Sequence, residues 1–156
     1  MAQDGDRRAD ARRGESRPAL ERGPLTLLVI DASALVQACL AAAGVGLFEN
    51  ENLVAPPLLW SEALSAIHEL RWRREISDDL GSRAFAALLA APVSRRAPHQ
   101  LYREAWRVAD ELGWAKTYDA EYVALARILG CRLLTLDDRL RRGAGRLVDI
   151  VGPHDL

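Results

Sequence analysis

The sequence has few residues of the kinds that cross-link small proteins or bind soft metal ions. Its 156 residues include only two cysteines and three histidines, which are scattered along the chain at Cys39, Cys131, His68, His99 and His154. Two cysteines are too few for a disulfide framework, and with histidines so far apart they do not make a four-ligand zinc site. This composition fits a protein of the reducing cytoplasm.

The chain also lacks a large net charge of either sign. Its 21 basic and 22 acidic residues give a formal net charge of -1 at pH 7, so no global basic field draws nucleic acids or membrane surfaces to it. A polyanionic partner must therefore be held locally. All the basic residues except Lys116 are arginines, which supply the forked donors that suit phosphate groups.

No hydrophobic run is long and unbroken enough to predict a membrane span. The most apolar stretch, residues 25–48, contains Asp31 and Gln37, and an acid near the middle of a spanning helix costs about 2.5 to 3.5 kcal/mol on insertion scales. The β-branched cluster followed by small residues predicts a strand and then a helix instead. We therefore expect a soluble protein.

The chain divides into a polar tail and one compact domain. Residues 1–23 carry six arginines and five acids with almost no large apolar side chain. Such a segment cannot bury enough surface to offset the entropy of ordering, so we predict a disordered N-terminal tail. Residues 24–156 are long enough to bury a core without disulfides and are predicted to form a single domain.

Within this domain, apolar runs alternate with amphipathic segments. The pattern predicts strands at 25–30, near Val93, at 132–135 and at 147–151, and helices at 33–43, 57–74, 78–90, 98–112, 118–129 and 137–142. Ser33 is the predicted N-cap of the first helix and Ser77 that of the third. Gly113 and Gly130 are predicted to end the fourth and fifth helices. Strands that alternate with helices indicate an α/β fold with a mostly parallel central sheet.

Two acids stand where predicted strands end. Asp31 closes the first strand, and Asp137 lies two residues beyond Thr135, where another strand ends. In open α/β sheets the ligand crevice lies outside the carboxyl ends of the strands, so polar residues there are candidates for a site. Aspartate also commonly caps the helix that follows a strand. Taken singly, each position remains open between these two roles.

Two further acids lie on predicted helices. Glu62 flanks an apolar stripe, where it either points into a crevice or belongs to a solvated flank. Asp119 begins a helix with apolar neighbours, where it is either a site residue or a partner of the helix dipole in the first turn.

The order and spacing of these segments are more specific than any one of them. The segments share acids or hydroxyls beside apolar runs, and they are Asp31-Ala-Ser33, Trp60-Ser-Glu62, Tyr118-Asp-Ala-Glu-Tyr122 and Thr135-Leu-Asp137. Over about residues 25–151 they resemble the PIN-domain ribonucleases, specifically the VapC-type toxins of bacterial toxin-antitoxin pairs. The resemblance implies a three-layer α/β/α fold, an acidic Mg²⁺ or Mn²⁺ site, and endonucleolytic cleavage of RNA.

The same resemblance implies roles for particular residues and partners. It implies a catalytic and metal-binding quartet supported by two hydroxyl side chains; the quartet is Asp31, Glu62, Asp119 and Asp137, and the hydroxyl residues are Ser33 and Thr135. It also implies a homodimer and a cognate antitoxin whose C-terminal segment crosses the active-site groove.

The sequence departs from the family pattern at one position. Family members often carry Asn one turn after the helical Glu, whereas this chain has Ser65 there. The shorter side chain leaves open how Glu62 is positioned. Asp138 adjoins Asp137, but the Thr-x-Asp register favours Asp137 as the fourth acid.

A group of carboxylates is chemically suited to phosphodiester hydrolysis. Carboxylates gathered in one crevice repel each other, and raised pKa values or a bound hard cation relieve that repulsion. Such a cation activates a water molecule and neutralises charge on the phosphate, so no nucleophilic side chain is required. In agreement, the sequence contains neither a G-x-S-x-G elbow nor a Walker A motif.

The arginines nearest the fourth acid are the first candidates for RNA contacts, namely Arg139, Arg141 and Arg142. Trp114 and Tyr118 are either stacking partners for unpaired bases or core residues. Two other functions remain open. One is a catalytically quiet PIN-like module that binds RNA or protein, and the other is a metal-dependent nuclease or phosphatase that acts on a different substrate.

Overall fold

The structure of the protein, a computed structural model, describes residues 26–42, 44–48 and 51–155. The predicted tail at residues 1–23 lies outside the described residues.

The centre of the domain is a parallel sheet. Its strands are β1 (Thr26–Ile30), β2 (Glu51–Ala55), β3 (Ser94–Arg95), β4 (Arg132–Leu134) and β5 (Ile150–Val151). In the described part of the chain these form one five-stranded sheet in the order β3-β2-β1-β4-β5, and every pairing is parallel.

Helices cover both faces of this sheet. They are α1 (Ala32–Leu40), α2 (Leu58–Trp72), α3 (Asp78–Ala90), α4 (Leu101–Leu112), α5 (Tyr118–Leu129) and α6 (Asp138–Ala144), with short 3₁₀ turns at Gly44–Phe48 and Pro153–Asp155. The first three helices pack against one another, α4 packs along α5, and α5 contacts β1 and β4. The predicted three-layer α/β/α fold is confirmed.

The central strand β1 has the sequence expected of its position. Leu28, Val29 and Ile30 are each 0% exposed, because β1 has a strand on either side and helices over both faces. A continuous apolar run, instead of an alternating one, is what such a strand requires.

Several predicted helix ends agree with the structure. Ser77 caps α3 by accepting a hydrogen bond from the Leu80 amide at 3.1 Å. Gly113 and Gly130 follow α4 and α5 with φ of +67° and +62°, and this left-handed conformation favours glycine because it has no Cβ. These local signals needed no tertiary information.

Other predicted boundaries are wrong. Asp31 caps α1 in place of Ser33, and α1 ends at Leu40 because Ala41 is extended, with ψ of 148°. The sequence pattern does not predict β2, whose first two residues are polar. The strand predicted near Val93 lies one residue later, at Ser94–Arg95.

Chain order places a crevice beside the central strand. After β1 the chain builds β2 and β3 on one side and then returns to build β4 and β5 on the other. At such a switch point the connections leave the sheet in opposite directions and open a crevice outside the carboxyl ends of the strands. The Asp31 amide donates to the Leu134 carbonyl at 3.1 Å, which joins β1 to β4 at the edge of this crevice. No described helix has the length and apolar character that a membrane span requires.

Candidate active site

Asp31 lies at the base of the crevice, directly after β1, and is only 5% exposed. Its Oδ1 caps α1 by accepting from the Ala34 amide at 3.0 Å, and the same oxygen accepts from Ser33 Oγ at 2.8 Å. Its Oδ2 accepts from Thr135 Oγ1 at 2.5 Å. Asp31 is therefore both a helix cap and a crevice acid, and the two roles that the sequence left open are compatible.

The two predicted hydroxyl residues join the carboxyl end of β1 to the turn after β4. Thr135 is fully buried, and its Oγ1 also accepts from the Asp137 amide at 2.9 Å. Ser33 Oγ accepts from the Leu136 amide at 3.0 Å. Each hydroxyl has one proton and donates it to Asp31, so their 3.4 Å approach to each other is a contact, not a further hydrogen bond. Both hydroxyls fix the orientation of the Asp31 carboxylate.

Asp137 has the same dual position as Asp31. It caps α6, and its Oδ1 accepts from the amides of Arg139 at 2.7 Å and Leu140 at 3.2 Å. Its charge also reaches across the crevice, where it raises the pKa of Asp31 and of Asp119.

Glu62 reaches the crevice from α2 and is half-buried. Its Oε2 accepts from Tyr122 Oη at 2.5 Å. Ser65, at the position where the family often has Asn, is exposed and makes no hydrogen bond to Glu62 among the described residues. The donor to Glu62 thus comes from α5, a contact that the sequence alone does not predict. The one available signal was the position of Tyr122 three residues after Asp119, on the same face of a helix.

Asp119 lies in the first turn of α5 and is half-buried. Its Oδ2 lies 3.3 Å from Arg139 Nη2. Burial raises the pKa of Asp119, the Arg139 guanidinium lowers it, and the charge of Asp137 raises it again. The net direction is upward.

The structure brings all four predicted acids to one crevice, where they perturb one another. Burial raises the pKa of both Asp31 and Glu62. The charges of Asp119 and Asp31 raise the pKa of Glu62 further, against the lowering effect of the Tyr122 hydrogen bond. Such mutual repulsion among hard oxygen donors is the electrostatic setting that favours a divalent cation.

The carboxylates are nevertheless turned toward protein partners. Across residues 26–42, 44–48 and 51–155, no three Asp, Glu, His or Cys side chains are arranged to hold one metal ion as they stand. Asp31 and Asp137 accept from amides, Glu62 from a phenol, and Asp119 faces a guanidinium. The carboxylate oxygens are the type of ligand that Mg²⁺ and Mn²⁺ prefer. In this arrangement, however, they are not turned toward one common point.

A pocket of about 540 Å³ adjoins Glu62 and Asp119. Its wall includes Lys116, Tyr118 and Arg139, and Tyr118 is 54% exposed. The pocket thus combines two cations with an accessible aromatic ring beside the acids.

The other predicted RNA contacts are placed differently. Trp114 lines the same pocket but packs against the core and against α6, where a Cβ on Gly143 would lie 3.0 Å from its ring. Arg141 lies 3.9 Å from Asp155, and Arg142 is exposed. Of the three arginines, Arg139 is the one that the structure pairs with a quartet acid.

Comparison with known proteins gives a consistent family. The PIN domain profile matches residues 28–146. The chain is 35% identical to ribonuclease VapC9 of Mycobacterium tuberculosis over 115 residues, covering 73% of this chain and 88% of that protein. It is 37% identical to ribonuclease VapC1 of the same organism over 127 residues, covering 75% and 90%.

A solved structure has the same fold. The crystal structure of PAE2754 from Pyrobaculum aerophilum matches with a TM-score of 0.63 at 24% identity, covering 85% of this chain and 94% of that one. The resemblance inferred from the sequence is confirmed, and the chain belongs to the PIN-domain family, within which it is similar to proteins named VapC ribonucleases.

Proposed function

We propose that this protein is a metal-dependent endoribonuclease and the toxin of a toxin-antitoxin pair. The observation that carries the proposal is the convergence of four acids from four segments on one crevice, in a chain similar to VapC ribonucleases over most of its length. The reaction is hydrolysis of an RNA phosphodiester bond.

Asp31, Glu62, Asp119 and Asp137 are the proposed metal ligands. A bound Mg²⁺ or Mn²⁺ supplies the activation of water and the neutralisation of charge on the phosphate. Carboxylates suit this choice because both ions prefer oxygen ligands.

The chain's own residues hold these acids in place and receive the substrate. Ser33 and Thr135 donate to Asp31 and keep its charge at the end of β1. Arg139, whose side chain is 79% exposed, partly neutralises Asp119 and presents its remaining guanidinium donors toward an approaching phosphate. Lys116 adds a second cation, and Tyr118 offers a face for base stacking.

The partners and compartment follow from the same proposal. We expect an RNA substrate, a homodimer and a cognate antitoxin that covers the crevice in the cytoplasm. We also propose that residues 24–156 form the nuclease domain.

The decisive experiment is cleavage of structured RNA by the purified protein in Mg²⁺ or Mn²⁺. Asp119→Asn removes one proposed ligand with little change of shape, and we expect it to abolish cleavage. Asp138→Asn is the matched control, because Asp138 is exposed and adjoins the quartet without belonging to it. Full activity of Asp119→Asn would contradict the mechanism. Metal-dependent RNA binding without cleavage by the wild type would favour the catalytically quiet module.

A further inference from the structure

We infer that Tyr122 is a positioning residue that orients Glu62 within the acidic crevice, an inference that rests on the proposed function. The contact joins two elements that are distant in sequence. Tyr122 Oη, on α5, donates to Glu62 Oε2, on α2, at 2.5 Å.

Tyr122 is the rigid partner of this pair. It is 2% exposed and is among the largest fully buried side chains of the described residues. Packing fixes its ring and therefore the position of its hydroxyl oxygen. Glu62 is half-buried and has three side-chain torsions, so without a partner its carboxylate would populate several rotamers. The hydrogen bond from the fixed Tyr122 hydroxyl therefore restricts the Glu62 carboxylate to one position.

The bond leaves half of the carboxylate free. Tyr122 occupies Oε2, and no described residue donates a hydrogen bond to Oε1. A carboxylate held through one oxygen presents its other oxygen in a defined direction. Residues that hydrogen-bond metal ligands commonly orient them in this way. Tyr122 is the donor in this pair, because a phenol hydroxyl carries a proton and a carboxylate oxygen only accepts.

Helix α5 thereby controls two acids. Asp119 lies in its first turn, and Tyr122 follows one turn later on the same face. The Asp119 and Asp31 charges repel Glu62, and a phenol donor opposes that repulsion by stabilising the carboxylate. Because Ser65 does not provide this support, the orientation of Glu62 depends on Tyr122.

The test uses Tyr122→Phe, which removes one oxygen and keeps the buried ring. Tyr102→Phe is the matched control, since Tyr102 is 62% exposed on α4. The readouts are the Mn²⁺ concentration at the midpoint of the melting-temperature increase, and kcat and KM for an RNA oligonucleotide. For Tyr122→Phe we expect the Mn²⁺ midpoint to rise or kcat to fall by roughly 10-fold, with KM nearly constant. Removal of residues that hydrogen-bond metal ligands commonly has an effect of this size.

A double-mutant cycle separates positioning from general structure. If Tyr122 acts through Glu62, Tyr122→Phe has no further effect on the Mn²⁺ midpoint or on residual cleavage once Glu62→Gln is present. Additive effects of the two substitutions would overturn the inference. So would a Tyr122→Phe protein whose midpoint and kcat both stay within about twofold of wild type.

Failure of the proposed function is distinguishable from failure of this inference. If the wild type cleaves no RNA, the ribonuclease proposal fails, and the Mn²⁺ midpoints still report whether Tyr122 acts through Glu62. If it binds no Mn²⁺ either, the same cycle on the melting temperature of the metal-free protein tests the contact, and additive shifts there refute it.

Discussion

At the residue scale, the two strand-end acids show that a helix cap and a place in the acidic crevice need not be alternatives. Asp137 caps α6 through Oδ1, and Asn caps a helix about as well as Asp. We expect Asp137→Asn to abolish cleavage while leaving the free energy of unfolding of the metal-free protein nearly unchanged or slightly raised. Asp137→Ala should abolish cleavage and also lower that free energy by about 1 kcal/mol. Denaturant melts of both variants check this, and equal stability of the two would argue against the cap.

Asp31 gives a prediction on pH. Burial raises the pKa of Asp31 in the folded protein above its ordinary value of 3.8, so the folded state binds its proton more tightly than the unfolded state. Protonated Asp31 therefore contributes to the free energy of unfolding. This contribution is fully present below pH 3.8 and is lost as pH rises through the raised pKa of the folded state. Asp31→Asn cannot ionise, so its melting temperature in EDTA should exceed that of the wild type increasingly as pH rises from about 4 to 7. A difference that stays constant over this range would show that Asp31 carries no such penalty.

Removing the charge of Asp119 should stabilise the metal-free protein less than removing that of Asp31, because Arg139 already offsets part of the electrostatic cost of ionised Asp119. Asp119→Asn relieves repulsion from Asp137 but also removes the pair with Arg139. That pair is exposed on the Arg139 side, so its loss costs about 0 to 1 kcal/mol. The metal-free melting temperature of Asp119→Asn should therefore rise less than that of Asp31→Asn. Thermal melts of the two variants in EDTA at pH 7 test this order, and a larger rise for Asp119→Asn would contradict it.

At the scale of the element, α2 ends in a conformation that its sequence does not suit. Arg74 has φ of +60° and is the one non-glycine residue with positive φ in the described chain. The Cβ of Arg74 in this backbone conformation lowers the stability of the folded protein by about 1 to 2 kcal/mol. Glycine avoids that strain, but its greater freedom in the unfolded state lowers the free energy of unfolding by about 0.4 to 1 kcal/mol. Arg74→Gly should therefore raise the free energy of unfolding by up to about 1 kcal/mol. Arg74→Ala, which keeps the Cβ, is the control and should show no such gain in denaturant melts.

The elements also show which features a sequence can reveal. The apolar run of β1 and the glycines after α4 and α5 are local signals, and each predicted its element. β2 has only three apolar residues after Glu51 and Asn52, and its burial comes from pairing with β1 and β3, which no local pattern records. The four acids were predicted from their order along the chain together with a family resemblance. The support of Glu62 by Tyr122, 60 residues away, required the packing of α2 beside α5.

At the scale of the whole molecule, the proposed activity predicts an effect on cells. A ribonuclease expressed without its inhibitor degrades the RNA of its host, so the wild-type chain should slow growth on induction. Asp31→Asn, which keeps the shape of the side chain, should be tolerated. Growth curves and expression levels of the two strains test this, with Asp138→Asn as a control that should behave like the wild type. Equal growth of the wild-type and Asp31→Asn strains at equal expression would count against the toxin.

The acidic crevice also predicts how metal affects the stability of the whole domain. Without metal, burial and neighbouring carboxylates raise the pKa of Asp31, Glu62 and Asp119, and only Asp119 has a guanidinium, that of Arg139, to offset part of this effect. A cation that binds only the folded state adds about 2.7 kcal/mol at 100 times its dissociation constant, which corresponds to a melting temperature higher by roughly 5 to 15 °C for a domain of this size. We expect Mn²⁺ to produce such a rise at pH 7, and Asp31→Asn or Asp119→Asn to diminish it. Because these variants start from a higher metal-free melting temperature and gain less from Mn²⁺, the difference between them and the wild type should narrow as the Mn²⁺ concentration rises. A wild-type melting curve that is unchanged by millimolar Mn²⁺ would instead show that the four acids keep their contacts with other groups of the chain and bind no metal. That result would favour the catalytically quiet module.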